Sequence, residues 1–224
     1  MRATALMADF PFDLVGFDLD GTLVDSVGDI AASLNHALAV IERPPLSVDE
    51  VRPMIGGGSR VLLERALLAI GREDQLDRLL PVLLDYYDAH MTDLTRPFAG
   101  VVEALDTLHS RGVALAVVTN KREYFSLKLL DALGLRDRFA CVIGGDSAGL
   151  SAPKPDRAPI DLMIRRCGGG HAAFVGDSIY DIDAARAAGV PVALFSPDGT
   201  AVPGADAVFD RYGELIATLE SMAA

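Results

Sequence analysis

Basic residues are scarce in this chain: 20 Lys and Arg stand against 32 Asp and Glu in 224 residues, a formal net charge of −12. Nucleic acids and anionic membranes are gripped through clustered Lys and Arg, so neither is an expected partner. The same deficit repels anionic metabolites. Any phosphate site must therefore be made positive locally, by a lysine, a metal or a helix N-terminus. Cysteine is nearly absent, and Cys141 and Cys167 lie far apart in sequence with no metal-ligand spacing, which reads as two reduced thiols. His36, His90, His109 and His171 are too scattered for a histidine-based zinc site. No apolar run approaches the ~20 residues a membrane helix needs. The opening MRATALMADF is a poor signal segment, short in apolar length and interrupted by Asp9. The expectation is a cytoplasmic protein, soluble, as a monomer or homodimer.

What the chain does have is order along its length. From about residue 97, short β-rich runs (113–118, 141–143, 172–175, 190–195) alternate with amphipathic segments near 99–111, 122–133, 157–167, 179–188 and 211–221. That alternation predicts an α/β fold, a Rossmann-like parallel sheet with helices on both faces. Residues 27–94 differ: IAASLNHALAV, RVLLERALLAI and DQLDRLLPVLLDYYDAHM carry helical periodicity and offer no strand. A helical stretch of ~65 residues after the first strand is far longer than a connection. It predicts an inserted helical cap domain over 23–94, with residues 1–22 and 95–224 forming the core domain.

The chemistry concentrates where strands end, because parallel sheets bind ligands at their carboxyl edge. VGFDLDGTLVDS, residues 15–26, runs an apolar strand into Asp18 and Asp20, whose i, i+2 spacing points both side chains into one pocket. Asp20-Gly21 alone reads as a turn, but a turn leaves Asp18 unexplained. Two like charges so close call for a proton or a cation between them. In FVGDSIYDIDAARAAG, Asp177 ends a strand and Asp181 stands one helical turn later on the same face. Helix capping accounts for Ser178 and Asp183; carboxylates at two strand ends make a hard-oxygen site suited to Mg²⁺. Lys154, fixed between Pro153 and Pro155, is either a solvated surface charge or the counter-cation of that cluster. Thr119 and Asn120 follow another strand, offering a hydroxyl and a backbone N–H, or a cap for the next helix.

DLDGTLVDS, VVTN, APKP and VGDSIYDID stand in order along nearly the whole chain, and together they resemble the haloacid dehalogenase superfamily of aspartate-nucleophile phosphatases. DGTLVDSVGDIAASLNHAL, PLSVDEVRPMIGGGSRVLLERAL and RPFAGVVEALDTLHSRGVALAVVTNK resemble its phosphoglycolate phosphatase branch. The resemblance implies a Mg²⁺-dependent phosphomonoester hydrolase acting on a small phosphorylated metabolite through an aspartyl-phosphate. Asp18 would be the nucleophile and Asp20 the acid and base. Thr119, Asn120 and Lys154 would handle the phosphoryl oxygens. Asp18, the Asp20 carbonyl and Asp177 would hold the metal, with Asp181 one layer behind. Gly57 and Arg60 of IGGGSR are the candidate substrate contacts from the cap, Arg60 for a substrate carboxylate. Asp25, at the cap entrance, is assigned a structural hydrogen bond. Tyr180 and the 196–206 stretch depart from the branch's pattern. The alternatives are a phosphomutase of the β-phosphoglucomutase type, or a phosphatase for sugar phosphates, nucleotides or pyrophosphate. A 2-haloacid dehalogenase is disfavoured by Asp20, and a phosphorylated receiver module by the helical block.

Overall fold

A computed structural model of the chain describes residues 10–200 and 202–222. The apolar run before Asp18 forms β1 (Leu14–Phe17), buried along its whole length. It lies in the middle of a six-stranded parallel sheet, flanked by β4 (Ala114–Val118) and β6 (Ala172–Gly176). Outside β4 lies β5 (Cys141–Ile143), and outside β6 come β7 (Val192–Phe195) and β8 (Ala207–Phe209). All neighbours are parallel. Strands buried on both faces need apolar residues throughout, which is why these runs do not alternate with polar residues.

Successive side chains of a strand still face opposite ways, and the core splits accordingly. Val15, Phe17, Leu115, Val117 and Val175 pack on one face with α5 (Val101–Ser110) and α6 (Glu123–Ala132). Leu14, Ala116, Val118 and Phe174 pack on the other with α7 (Ala158–Arg166) and α8 (Ile179–Ala188). Strand order runs outward from β1 in both directions, so the crossover direction reverses beside it. That reversal opens a crevice at the carboxyl end of β1, between β4 and β6.

Between β1 and the return to the sheet lie α1 (Val27–Ala39), α2 (Val48–Val51), α3 (Gly58–Leu68) and α4 (Leu76–His90), and no strand of the main sheet. Ile30, Leu34, Leu63, Leu67, Leu79 and Leu83 bury against one another there. The block is entered and left through two short antiparallel strands, β2 (Val24–Asp25) and β3 (Arg96–Pro97). Asp29, only 2% exposed, ties this double crossing together. Its carboxylate accepts from the Leu94 N–H (3.0 Å), the Thr95 N–H (2.8 Å) and the Thr95 hydroxyl (2.6 Å). The structural hydrogen bond expected of Asp25 does not form: its side chain is exposed and makes no hydrogen bond among the described residues. Asp25 sits on the outward face of β2, whereas Asp29 is one turn into α1, facing the crossing. The two cysteines, distant in sequence, meet in space: Cys141 begins β5, Cys167 follows α7, and their Sγ atoms stand 3.1 Å apart as free thiols.

Candidate active site

Three strand ends and one loop deliver the expected groups to the crevice. Asp18 follows β1, Thr119 and Asn120 follow β4, Asp177 follows β6, and Lys154 comes from the loop between β5 and α7. Lys154 is 3% exposed. Its Nζ donates to Asp181 Oδ1 at 2.6 Å and to the Val118 carbonyl at 2.9 Å, and lies 3.0 Å from Asp18 Oδ1. Two of the ammonium's three donors are thus engaged in hydrogen bonds, and the Asp18 contact is an ion pair. Burial works against that charge, but Asp18 and Asp181 outweigh it and hold the lysine pKa above its ordinary value.

The approach to Asp18 is misaligned, and the buried Asp18 Oδ1 is left without a hydrogen bond. Burial pushes the Asp18 carboxyl up to about 6, with Lys154 pulling it down and Asp181 and Asp20 adding to the rise. Asp177 is also held well above the usual carboxylate range, by burial first and then by the charges of Asp181 and Asp18. One carboxylate oxygen from each of Asp18, Asp177 and Asp181 lies within 4.8 Å of the other two. An orphaned oxygen within an all-oxygen cluster of mutually repelling acids fits a hard divalent cation. Gly21 supports that arrangement. It has φ +86°, and a Cβ there would stand 2.4 Å from Asp177 Oδ2, so only glycine lets the loop cross this carboxylate. The Thr22 hydroxyl holds Asp177 Oδ1 at 2.9 Å.

Asp181 is fully buried and serves two partners. Its Oδ1 meets Lys154, while its Oδ2 accepts from the Ser178 N–H (3.0 Å) and hydroxyl (2.6 Å), closing a capping box on α8. The cap of α8 is thus closed by Asp181 rather than by Asp183, and the same carboxylate pairs with Lys154.

Asp20 has its own lysine, one the sequence reading passed over. Lys121, 8% exposed, places Nζ 2.8 and 2.6 Å from the two Asp20 oxygens, and the Ser26 hydroxyl adds a third contact at 2.6 Å. Burial opposes the Lys121 charge, and Asp20 more than compensates, so its pKa is raised. Each carboxylate of the Asp18/Asp20 pair is thus matched by a separate buried ammonium. Thr119 is buried, and its Oγ1 accepts from the Lys121 N–H at 3.3 Å.

Asn120 does more than offer an amide. Its side chain donates to the carbonyls of Gly56 (2.8 Å) and Lys154 (2.9 Å) and accepts from the Lys154 N–H (2.9 Å). It therefore joins the loop before α3 to the Lys154 loop. Gly58, at φ +84°, presses against the Asn120 carbonyl, where a Cβ would come within 2.9 Å. The glycines that meet the site are thus Gly56 and Gly58, whereas Gly57 packs against Val61. Arg60 is not brought to the site. Position 60 projects outward from α3, and its guanidinium pairs with Glu64 (3.0 Å) and Asp77 (3.4 Å) in solvent. Arg65, one and a half turns later, faces the core instead, donating to the Tyr180 hydroxyl (2.5 Å) and the Met54 carbonyl (3.0 Å).

Two cavities share Asp20, Ile55 and Gly56. One, about 50 Å³, runs from Asp18, Thr119 and Lys121 to Ser33, Leu83 and Tyr87 of the helical block. The other, about 960 Å³, opens on the side of Gly21, Asp177 and Tyr180.

Known proteins are similar to this chain along most of its length. The model of the haloacid dehalogenase-like hydrolases matches residues 15–195. The chain is 42% identical over 207 residues to a phosphoglycolate phosphatase of Caulobacter vibrioides, covering 88% of this chain and 86% of that one. It is 44% identical over 191 residues to phosphoglycolate phosphatase 1 of Pseudomonas aeruginosa, covering 82% and 69%. The crystal structure of a predicted phosphoglycolate phosphatase from Haemophilus somnus 129PT superposes with a TM-score of 0.83 at 33% identity, over 92% of this chain and 97% of that one. With its family pattern spanning the sheet and its close relatives matched along most of their length, the chain belongs to the haloacid dehalogenase-like hydrolase family.

Proposed function

We propose that this phosphatase is a Mg²⁺-dependent phosphomonoester hydrolase that works through an aspartyl-phosphate on a small phosphorylated acid of the 2-phosphoglycolate type. The observation that carries the reading is the buried Asp18, with one oxygen unsatisfied, between Lys154 and the Asp177/Asp181 cluster. The names of the relatives point to the same substrate class.

In this reading an Asp18 carboxylate oxygen attacks phosphorus and the ester P–O bond breaks. Asp20 gives a proton to the departing alkoxide. Asp20 then takes a proton from the water that attacks the aspartyl-phosphate, and inorganic phosphate leaves. Lys121 and Ser26 hold Asp20 in place for both transfers. The Thr119 hydroxyl, the Asn120 N–H and Lys154 receive the phosphoryl oxygens. A phosphoryl oxygen would engage Lys154 in place of its misaligned contact to Asp18. Asp18, the Asp20 carbonyl and Asp177 would hold Mg²⁺, with Asp181 behind them. The ion would offset the charge of the acids and of the phosphoryl group.

Residues 23–94 are proposed to act as a cap over the core formed by 1–22 and 95–224, closing the site against bulk water. Ser33, Ser59, Leu62 and Tyr87 of that block line the smaller cavity beside Asp18 and support this role. The protein is proposed to be cytoplasmic, and no helix among the described residues is long and apolar enough to cross a membrane.

A phosphate-release screen tests the reading. It should include 2-phosphoglycolate, sugar phosphates, nucleoside monophosphates and pyrophosphate, each with Mg²⁺ and with EDTA. Release that requires Mg²⁺ and favours 2-phosphoglycolate is expected. Preference for a sugar phosphate or nucleotide would overturn the substrate, and full turnover in EDTA the metal.

A further inference from the structure

The smaller cavity contains a feature that the catalytic assignments leave unused. Tyr87 of α4 is 4% exposed, lines the cavity, and its hydroxyl has no hydrogen-bond partner among the described residues. A buried hydroxyl left unpaired is costly, so its presence there calls for a partner that arrives with the substrate. Beside it, Lys121 Nζ lies 4.7 Å from the centre of the Tyr87 ring. The two Asp20 oxygens occupy two of that ammonium's three donors, and the third is near enough to the Tyr87 hydroxyl to act on it without closing a hydrogen bond. Ile30, Leu62 and Leu83 form the apolar part of the wall.

We propose that the Tyr87 hydroxyl and the remaining Lys121 donor recognise the substrate's carboxylate, taking the role that the sequence suggested for Arg60. This rests on the small-acid reading above. The proposal follows from position, polarity and size. The cavity begins at Asp18 and Thr119, where the phosphoryl group sits in that reading, and reaches Tyr87 across apolar walls. An opening of 50 Å³ holds roughly four water-sized groups. That suits a two-carbon acid. The hydroxyl also stays protonated: burial, against the pull of Lys121, pushes its pKa up to about 12, so it donates at any working pH. Arg60 has no such access, being engaged in solvent with Glu64 and Asp77.

The test compares Tyr87→Phe with the wild type on 2-phosphoglycolate and on ethyl phosphate, which replaces the carboxylate by a methyl group. The readout is the ratio of the two kcat/KM values on one preparation, which is independent of the fraction folded. The variant keeps the ring that packs edge-on to Phe125, 5.5 Å between centroids. Losing a hydrogen bond to a charged group should lower the ratio by roughly tenfold or more, mainly through KM for 2-phosphoglycolate. A ratio within twofold of wild type would overturn the assignment of Tyr87 while leaving the phosphatase reading intact. A wild type that shows no preference for 2-phosphoglycolate over ethyl phosphate would overturn the small-acid reading and the carboxylate site with it.

Discussion

At the scale of single residues, the site is a problem in charge pairing. Two acids two residues apart, with a third and fourth across the crevice, would repel one another strongly in a buried site. The structure answers with two lysines, Lys154 against Asp18 and Asp181 and Lys121 against Asp20. Removing one member of a buried pair strands the other, which is costlier than never having built the pair. Lys121→Met should therefore destabilise the fold by about 3 kcal/mol in urea unfolding. Its kcat should drop about a hundredfold as Asp20 loses its anchor. A variant with wild-type stability and turnover would show that Lys121 does not govern Asp20. In "TNK" the sequence marks a hydroxyl and an amide and gives Lys121 no distinguishing context. A lysine three residues past a strand end looks like ordinary surface charge until the fold buries it.

At the scale of elements, what matters is how the helical block is joined to the sheet. The strands and helices of the sheet region were legible because each is a run of one period bounded by glycine or proline, as with Cys141–Ile143 and Ile179–Ala188. β8 was not legible. It has three residues at the sheet edge, only Phe209 of them is buried, and it lies in a stretch rich in Gly, Pro and Asp. The contacts across the crossing were hidden for a different reason: they join residues more than sixty positions apart, as Asp29 joins Leu94 and Thr95. Asp29→Ala would leave two backbone N–H groups and a hydroxyl unpaired in a buried place. A loss of about 3 kcal/mol in denaturant unfolding is expected, with partial recovery in Asp29→Asn. Equal stability of Asp29→Ala and wild type would mean that the crossing is held by β2 and β3 alone. Tyr180, a departure from the branch's pattern in sequence, has a place here, receiving Arg65 of α3 on α8. The difference between Arg60 and Arg65 is likewise one of helix face, which IGGGSR by itself does not reveal.

At the scale of the whole molecule, the acidic cluster links stability to pH and to metal. Burial holds Asp18 at about 6, against an ordinary value of 3.8, and Asp177 is also raised. The metal-free folded chain therefore binds protons more tightly than the unfolded chain. The stability this contributes is complete below pH about 4 and is lost as pH rises through about 6. Stripped of metal, the protein should lose stability from this source between pH 4 and pH 7. Mg²⁺, held as proposed by the ionised acids of the folded state, should shift the thermal midpoint little at pH 5 and more at pH 7.5. A Mg²⁺ shift that is equal at both pH values, or larger at pH 5, would place the ion somewhere other than this cluster.

Asp18 is the proposed nucleophile, and phosphate release from 2-phosphoglycolate by Asp18→Asn in saturating Mg²⁺ is the measurement closest to that role. The substitution is nearly isosteric and removes the carboxylate proposed to attack. Its rate should fall by at least about a thousandfold with the thermal midpoint close to that of wild type. Turnover within tenfold of wild type would contradict the assignment and the aspartyl-phosphate route with it.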